Sequence, residues 1–307
     1  MNILRVSVPP WCRLRVCRHW TLIIALCVVS LAGTVHADGE LRLTDDGKRK
    51  FSPVFLPDGE SIAYCVHDEP TNVVVKRLSL EDSSEELMFP DDTAHQFDPA
   101  FSPDGRYWCY CRSGAERQLV LVVRDRQSQG AEKLFLPSGG LRSTVRSLTV
   151  TPDGTRILFT ISCERGLQIA SLNMQLEDLQ FLTESEGTSY WPSVSPDGTQ
   201  IVFSSSRDGA YDLYVMDSGG GNVRRLTNSP TRDVRPKWSP DGGRIAFTSA
   251  RDGNYEIYVI DTDGGNLQRV TDHPEADDFA TWHPNASSLV LVAERDGRFD
   301  LYRIAVP

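Results

Sequence analysis

The chain has 307 residues, 40% of them hydrophobic and 24% charged, the balance of a soluble globular protein and not of a disordered or fibrous one. Its 32 basic residues are outnumbered by 42 acidic ones, a formal charge of −10. That excess argues against the basic face with which a nucleic-acid binder displaces counterions from phosphate.

Residues 1–37 differ from the rest. They carry Arg5, Arg13, Arg15 and Arg18 and no acid, then an apolar run from Leu22 to Ala32, then Val35-His36-Ala37 before Asp38. A basic start, a short apolar run and a small-x-small exit predict a secretory signal peptide. The apolar run is shorter than the ~20 residues of a membrane-spanning helix. The expectation is export and a mature domain at 38–307, with no stable membrane insertion after cleavage. Cys12, Cys17 and Cys27 would leave with the signal, and Cys65, Cys109, Cys111 and Cys163 would stay. Four cysteines in so long a chain do not staple a small domain. They read as small buried apolar residues, with a single bridge between Cys65 and Cys111 left open.

The next element in the chain is the first copy of a repeat. Leu56-Pro57-Asp58-Gly59 returns as Ser102-Pro103-Asp104-Gly105, Thr151-Pro152-Asp153-Gly154, Ser195-Pro196-Asp197-Gly198, Ser239-Pro240-Asp241-Gly242 and His283-Pro284-Asn285-Ala286. The prolines are 46, 49, 44, 44 and 44 residues apart. Six such units nearly consume the mature chain, leaving little room for a second domain. Two residues before each proline stand Phe55, Phe101, Val150, Val194, Trp238 and Trp282. Five after it come Ile62, Trp108, Ile157, Ile201, Ile245 and Leu289, and seven after it Tyr64, Tyr110, Phe159, Phe203, Phe247 and Leu291. Large β-formers alternating at a period of two make a strand with one buried face. Pro-Asp-Gly between two such runs is turn chemistry.

An Arg-Asp-Gly turn follows at Arg207, Arg251 and Arg295, then a third strand, a glycine-rich turn and a fourth strand ending in Arg225-Leu226-Thr227 or Arg269-Val270-Thr271. Four antiparallel strands per unit, six times over, predict an all-β fold, a six-bladed β-propeller. The last unit stops at its third strand, Leu301-Tyr302-Arg303-Ile304, while Leu41-Arg42-Leu43-Thr44 reads as a fourth strand without the other three. The N-terminal strand is therefore expected to complete the last blade and hide the open edges.

These repeats resemble the TolB-like propeller family, the WD-like propeller repeats, over the whole mature chain. The resemblance implies a periplasmic scaffold that binds an envelope protein, a peptidoglycan-associated lipoprotein, and links it to the energy-transducing machinery. TolB also carries an α/β domain before its propeller; here Asp38 and Gly39 lead straight into the closing strand, so that domain is not expected. The repeats are also similar to the propellers of prolyl oligopeptidase-like and tricorn-like peptidases and of some lyases. A peptidase would need Gly-x-Ser-x-Gly, and Gly187-Thr188-Ser189-Tyr190-Trp191 lacks the last glycine.

Counting back from each proline places one set of residues at a channel mouth: Lys50 with Ser52, His95 with Asp98, Arg146, then Tyr190 and Trp191. Asp233 with Arg235, and Asp277 with Asp278, complete it. Mixed charge beside two adjacent aromatics suits a peptide or protein surface; water filling the channel explains the polarity equally well. His95, Asp98, Asp277 and Asp278 could also converge as an acid–histidine cluster, with His67, His273 and His283 in reserve. No His-x-x-x-His pair accompanies them, so neither metal nor cofactor is predicted. Asp261 to Gly264 and Asp217 to Asn222 read as hairpin turns and not calcium loops. The recurrent arginines read as turn and inter-blade bonding. Asn285-Ala286-Ser287 matches a glycosylation acceptor that matters only in a eukaryotic secretory route. The function expected is a non-catalytic protein-binding scaffold of the cell envelope. The alternative is a propeller enzyme, lyase or hydrolase, acting on a polysaccharide or small molecule in the channel.

Overall fold

Six four-stranded antiparallel sheets carry the chain. The computed structural model describes residues 39–306 apart from 70–71, 115–117, 129–130, 138–143 and 165. The segment read as a signal peptide, with Cys12, Cys17 and Cys27, lies outside the described residues. The first strands of the blades are Lys50–Phe55, Gln96–Phe101, Val145–Val150, Ser189–Val194, Asp233–Trp238 and Asp277–Trp282. Each packs against the first strands of its two neighbours, and blade 1 meets blade 6, so the ring is closed.

The Pro-Asp-Gly phrase forms the turn its chemistry dictates. In blade 2 the Gly105 N–H reaches the Ser102 carbonyl at 2.9 Å. The Ser102 hydroxyl donates to Asp104 at 2.5 Å, and Asp104 accepts the Arg106 N–H at 3.0 Å. Gly105 has φ +70° and so uses the left-handed region open to glycine. In the divergent sixth copy His283 stands at the serine position, and its Nδ1 accepts the Asn285 N–H at 3.2 Å.

The alternating positions after each proline bury as expected. Tyr64, Tyr110, Phe159, Phe203, Phe247 and Leu291 are fully buried, as are Ile62, Ile157 and Ile245. Trp108 departs: it is half-buried, with the Arg126 guanidinium 4.4 Å above its ring. The core lies between blades. One cluster joins Val202, Leu213 and Val215 of blade 4 to Trp238, Phe247 and Tyr258 of blade 5, so each sheet is held by its neighbour's face.

Closure follows the expected 3+1 plan. Leu41–Arg42 pairs with Arg298–Ala305, Leu41 opposite Arg303 and Arg42 opposite Tyr302. Its side chains also reproduce a latch found in complete blades. In blade 5, Thr271 donates to Glu256 at 2.5 Å and accepts the Ile257 N–H at 2.9 Å, while Arg269 pairs with Glu256 at 3.2 Å. In blade 4, Thr227 and Arg225 hold Asp212 in the same way. At the seam, Thr44 donates to Asp300 at 2.9 Å and accepts the Leu301 N–H at 3.0 Å, and Arg42 pairs with Asp300. A residue some 250 positions away thus performs the chemistry of a local fourth strand.

The four described cysteines are free thiols. Cys65, Cys109 and Cys111 are buried, and burial pushes each thiol's pKa well up. Cys163 corrects the expectation: it is exposed, at a strand end. The recurrent arginines bond chiefly within their own blade. Arg251 grips both oxygens of Asp233, at 2.9 and 3.0 Å, and lies 4.7 Å over the Tyr258 ring; Arg295 pairs with Asp277 at 2.6 Å.

Candidate functional site

All six first strands break their register after the second residue. The third residue of each takes a left-handed backbone: Ser52, Asp98, Ser147, Trp191, Arg235 and Phe279, with φ between 50° and 56°. Such a conformation costs a non-glycine residue about 1–2 kcal/mol. A β-bulge leaves one residue out of the ladder, so the Pro53, Pro99, Pro192 and Pro236 that follow forfeit no ladder bond there. The bulge re-aims the strand, and all six left-handed residues line one cavity in the channel, of about 150 Å³.

Two cross-blade ion pairs shape the wall. Arg146 of blade 3 donates to Asp98 of blade 2 at 2.6 Å, and the Ser52 hydroxyl and Ser147 N–H add bonds at 3.0 and 2.8 Å. Burial alone would raise the Asp98 carboxyl's pKa, but the Arg146 charge and these donors hold it below its ordinary value. On the other side Arg235 of blade 5 pairs with Asp278 of blade 6 at 3.1 Å. Asp278 also accepts from Thr248 and the Phe279 N–H, yet burial dominates and raises its pKa.

The Arg235 guanidinium is sandwiched between aromatic rings, 4.8 Å from the Trp191 centroid and 4.2 Å from that of Phe279. Tyr190 meets Trp191 edge-on, centroids 4.1 Å apart. Stacked and ion-paired together, these groups form a rigid wall with no large rotamer freedom left to lose.

The structure sorts the residues that register alone had placed at the mouth. Asp98, Trp191 and Arg235 line the cavity, with Arg146, Tyr190 and Asp278 supporting them. Lys50, Asp233 and Asp277 do not belong there, which corrects the sequence reading. Lys50 is 0% exposed and pairs with Asp300 at 3.0 Å and with Asp46, locking blade 1 to blade 6. Asp233 and Asp277 are buried under Arg251 and Arg295; burial pushes Asp277 up to about 6 despite its arginine. They precede the bulge, whose extra residue shifts the alternation, so one count cannot serve both ends of the strand. His95 accepts the Val73 N–H at its Nδ1, and His273 and His283 also accept backbone N–H groups. The acids proposed to converge with them each face an arginine. Among the described residues, no three His, Cys, Asp or Glu side chains group as a metal site.

Sequence reasoning missed Ser147, Phe279 and Lys237, all in the cavity wall. The X-Pro pair in mid-strand was the available signal for the bulges: a proline inside a central strand needs a break in the ladder.

Residues 141–306 match the TolB beta propeller domain. The chain belongs to the TolB beta-propeller family. Among solved structures it is similar to a putative TolB from Agrobacterium tumefaciens, at 26% identity over 68% of this chain and 73% of that one, with a TM-score of 0.60. TolB from Acinetobacter baumannii aligns at 23% identity with a TM-score of 0.65, over 80% of this chain. This chain spans 64% of that protein's length. A gluconolactonase, XC5397 from Xanthomonas campestris, shares the fold at 17% identity and a TM-score of 0.67, over 91% of this chain and 93% of its own. No curated protein sequence matches the chain.

Proposed function

We propose that this protein is an exported, non-catalytic scaffold of the periplasm that binds an envelope protein through one mouth of its propeller. The observation that carries the reading is the Trp191–Arg235–Phe279 stack. Arginine and tryptophan held in place by their surroundings are the residues on which protein interfaces most often concentrate their energy. Family membership supports a peptidoglycan-associated lipoprotein as the partner, by analogy. The N-terminal sequence supports export.

The test is binding of purified peptidoglycan-associated lipoprotein from the same organism, followed by calorimetry. A saturable complex weakened by about 2 kcal/mol in Arg235→Ala, with the melting temperature near that of the parent, supports the scaffold. No complex, or one indifferent to Arg235→Ala and Trp191→Ala, removes it.

A second reading, an enzyme acting on a small molecule, draws on the cavity itself and on half-buried Lys237 in its wall. Turnover of a sugar lactone or uronide that disappears in Lys237→Met would favour it.

A further inference from the structure

The first strand of blade 5 brings to the cavity a cation that the protein leaves without a carboxylate partner. At the fifth position of the other first strands stand Val54, Ala100, Thr149, Ser193 and Thr281; only blade 5 has a long cation there, Lys237, and it lines the cavity. Among the described residues, the Lys237 ammonium has no carboxylate within ion-pair distance. Arg235, two residues earlier on the same strand, also lines the cavity, and its buried Nε has no hydrogen-bond partner. A buried donor left unmatched is rare in native structures and calls for an explanation.

Charge bookkeeping in the channel gives the sign of that group. Asp98 is balanced by Arg146 and Asp278 by Arg235, so Lys237 is one positive charge in excess, in a protein whose formal charge is −10. Burial holds the Lys237 pKa below its ordinary value, and the one charge opposing this is Asp98, on the blade across the ring. Asp98 already accepts three donors, so it is poorly placed to serve as the missing partner. The remaining wall is mixed: Pro53, Pro99, Pro192, Leu148 and the Trp191 and Phe279 side chains give it apolar faces, and Ser52, Ser147 and Thr149 interrupt them. One excess charge beside a partly apolar wall fits a monoanion with an organic body better than a doubly charged, strongly hydrated phosphate.

We propose that the channel cavity binds a carboxylate on a compact organic body, with the Lys237 ammonium as counter-ion and Arg235 beside it in the wall. The carboxylate has two sources, the free end of a polypeptide entering from the mouth or a soluble sugar acid. This site stands independently of the scaffold reading.

The test follows the Trp191 indole N–H resonance, assigned with Trp191→Phe, in the purified protein at constant ionic strength. The probes are hippurate, which imitates a chain end, glucuronate, and their uncharged counterparts hippuramide and glucose. At least one carboxylate is expected to shift the resonance saturably, with its neutral counterpart about tenfold weaker or more. Lys237→Met and Lys237→Gln are each expected to weaken the carboxylate about tenfold while the Trp108 indole resonance, on blade 2, stays in place. Hippurate alone identifies a chain end, and glucuronate alone a sugar acid. No saturable shift, equal binding of charged and neutral probes, or indifference to both Lys237 variants overturns the proposal. Carboxylate binding without a protein complex would refute the scaffold alone; a protein complex without carboxylate binding would refute this site alone.

Discussion

Asp233 and Arg235 lie two residues apart on one strand and belong to different regions of the molecule. Asp233, at the blade edge, is buried and fully matched by Arg251 and Ser249. Arg235, in the bulge, is matched on one side by Asp278 and keeps a buried Nε without a partner. The contrast extends around the ring. Where the six copies agree, as at the Pro-Asp-Gly turns and buried alternations, the residues build the propeller. Where they differ most, at the bulge residues Ser52, Asp98, Ser147, Trp191, Arg235 and Phe279, they line the cavity. Repetition encodes the frame, and departure from it marks the site.

The sharpest break of that contrast is at the seam. Asp300 is 1% exposed and receives Lys50, Arg42 and Thr44 at once. Asp300→Ala would leave a fully buried Lys50 with Asp46 as its one carboxylate, beside the Lys48 and Phe299 carbonyls, and losing one partner of a buried pair costs about 3–5 kcal/mol. Urea unfolding is the measurement, and a loss below about 1 kcal/mol would refute the latch as the closing device.

Next in size is the pair that opened the comparison. Arg251→Ala strips a 0%-exposed carboxylate of its cation and is expected to cost about 3 kcal/mol of stability with no effect on ligands of the channel. Arg235→Ala is expected to do the reverse: to weaken binding strongly and cost about 1 kcal/mol of stability, because Asp278 keeps Thr248 and a backbone donor. Equal losses of stability in both would erase the distinction between edge and channel.

A pH series separates the regions in another way. Asp277 has its folded pKa raised to about 6 by burial, above the 3.8 it has when unfolded. The folded state therefore binds its proton more tightly, and the stability this gives is present below pH 4 and lost as pH rises through 6. Asp98 has the opposite sign: its pKa is lowered, so its contribution is present above pH 4 and lost as pH falls. Unfolding free energies between pH 4 and 7 should fall less steeply in Asp277→Asn than in the parent. An unchanged slope would refute the assignment.

How much of this was legible follows from the same division. The blade count, the alternation and the closing strand could be read because each is stated several times; Thr44 stands 13 residues before Pro57 as Thr227 does before Pro240. Lys50, Asp233 and Asp277 were misplaced because a period-2 count fails across a bulge. Lys237 was invisible for a different reason. It occurs once, and only the ring brings its strand opposite Asp98. The pairing of Arg42 and Thr44 with Asp300 was hidden likewise, although Arg225 and Thr227 already spelled out its chemistry.

The smallest expected effect lies in the least regular copy of the turn. Five of the six turns place glycine in the left-handed region, at φ between 68° and 74°; the sixth holds Ala286 at φ 59°. Its N–H still reaches the His283 carbonyl at 2.9 Å, so the turn keeps its shape and its β-carbon bears the strain. A left-handed L-residue costs about 1–2 kcal/mol, partly offset by the greater freedom of glycine in the unfolded chain. Ala286→Gly should therefore stabilise the protein by about 0.5–1 kcal/mol without touching the channel. If it destabilises instead, Ala286 is held by its neighbours and not by the turn. The sixth blade would then be a place where packing against the closing strand outweighs the repeat.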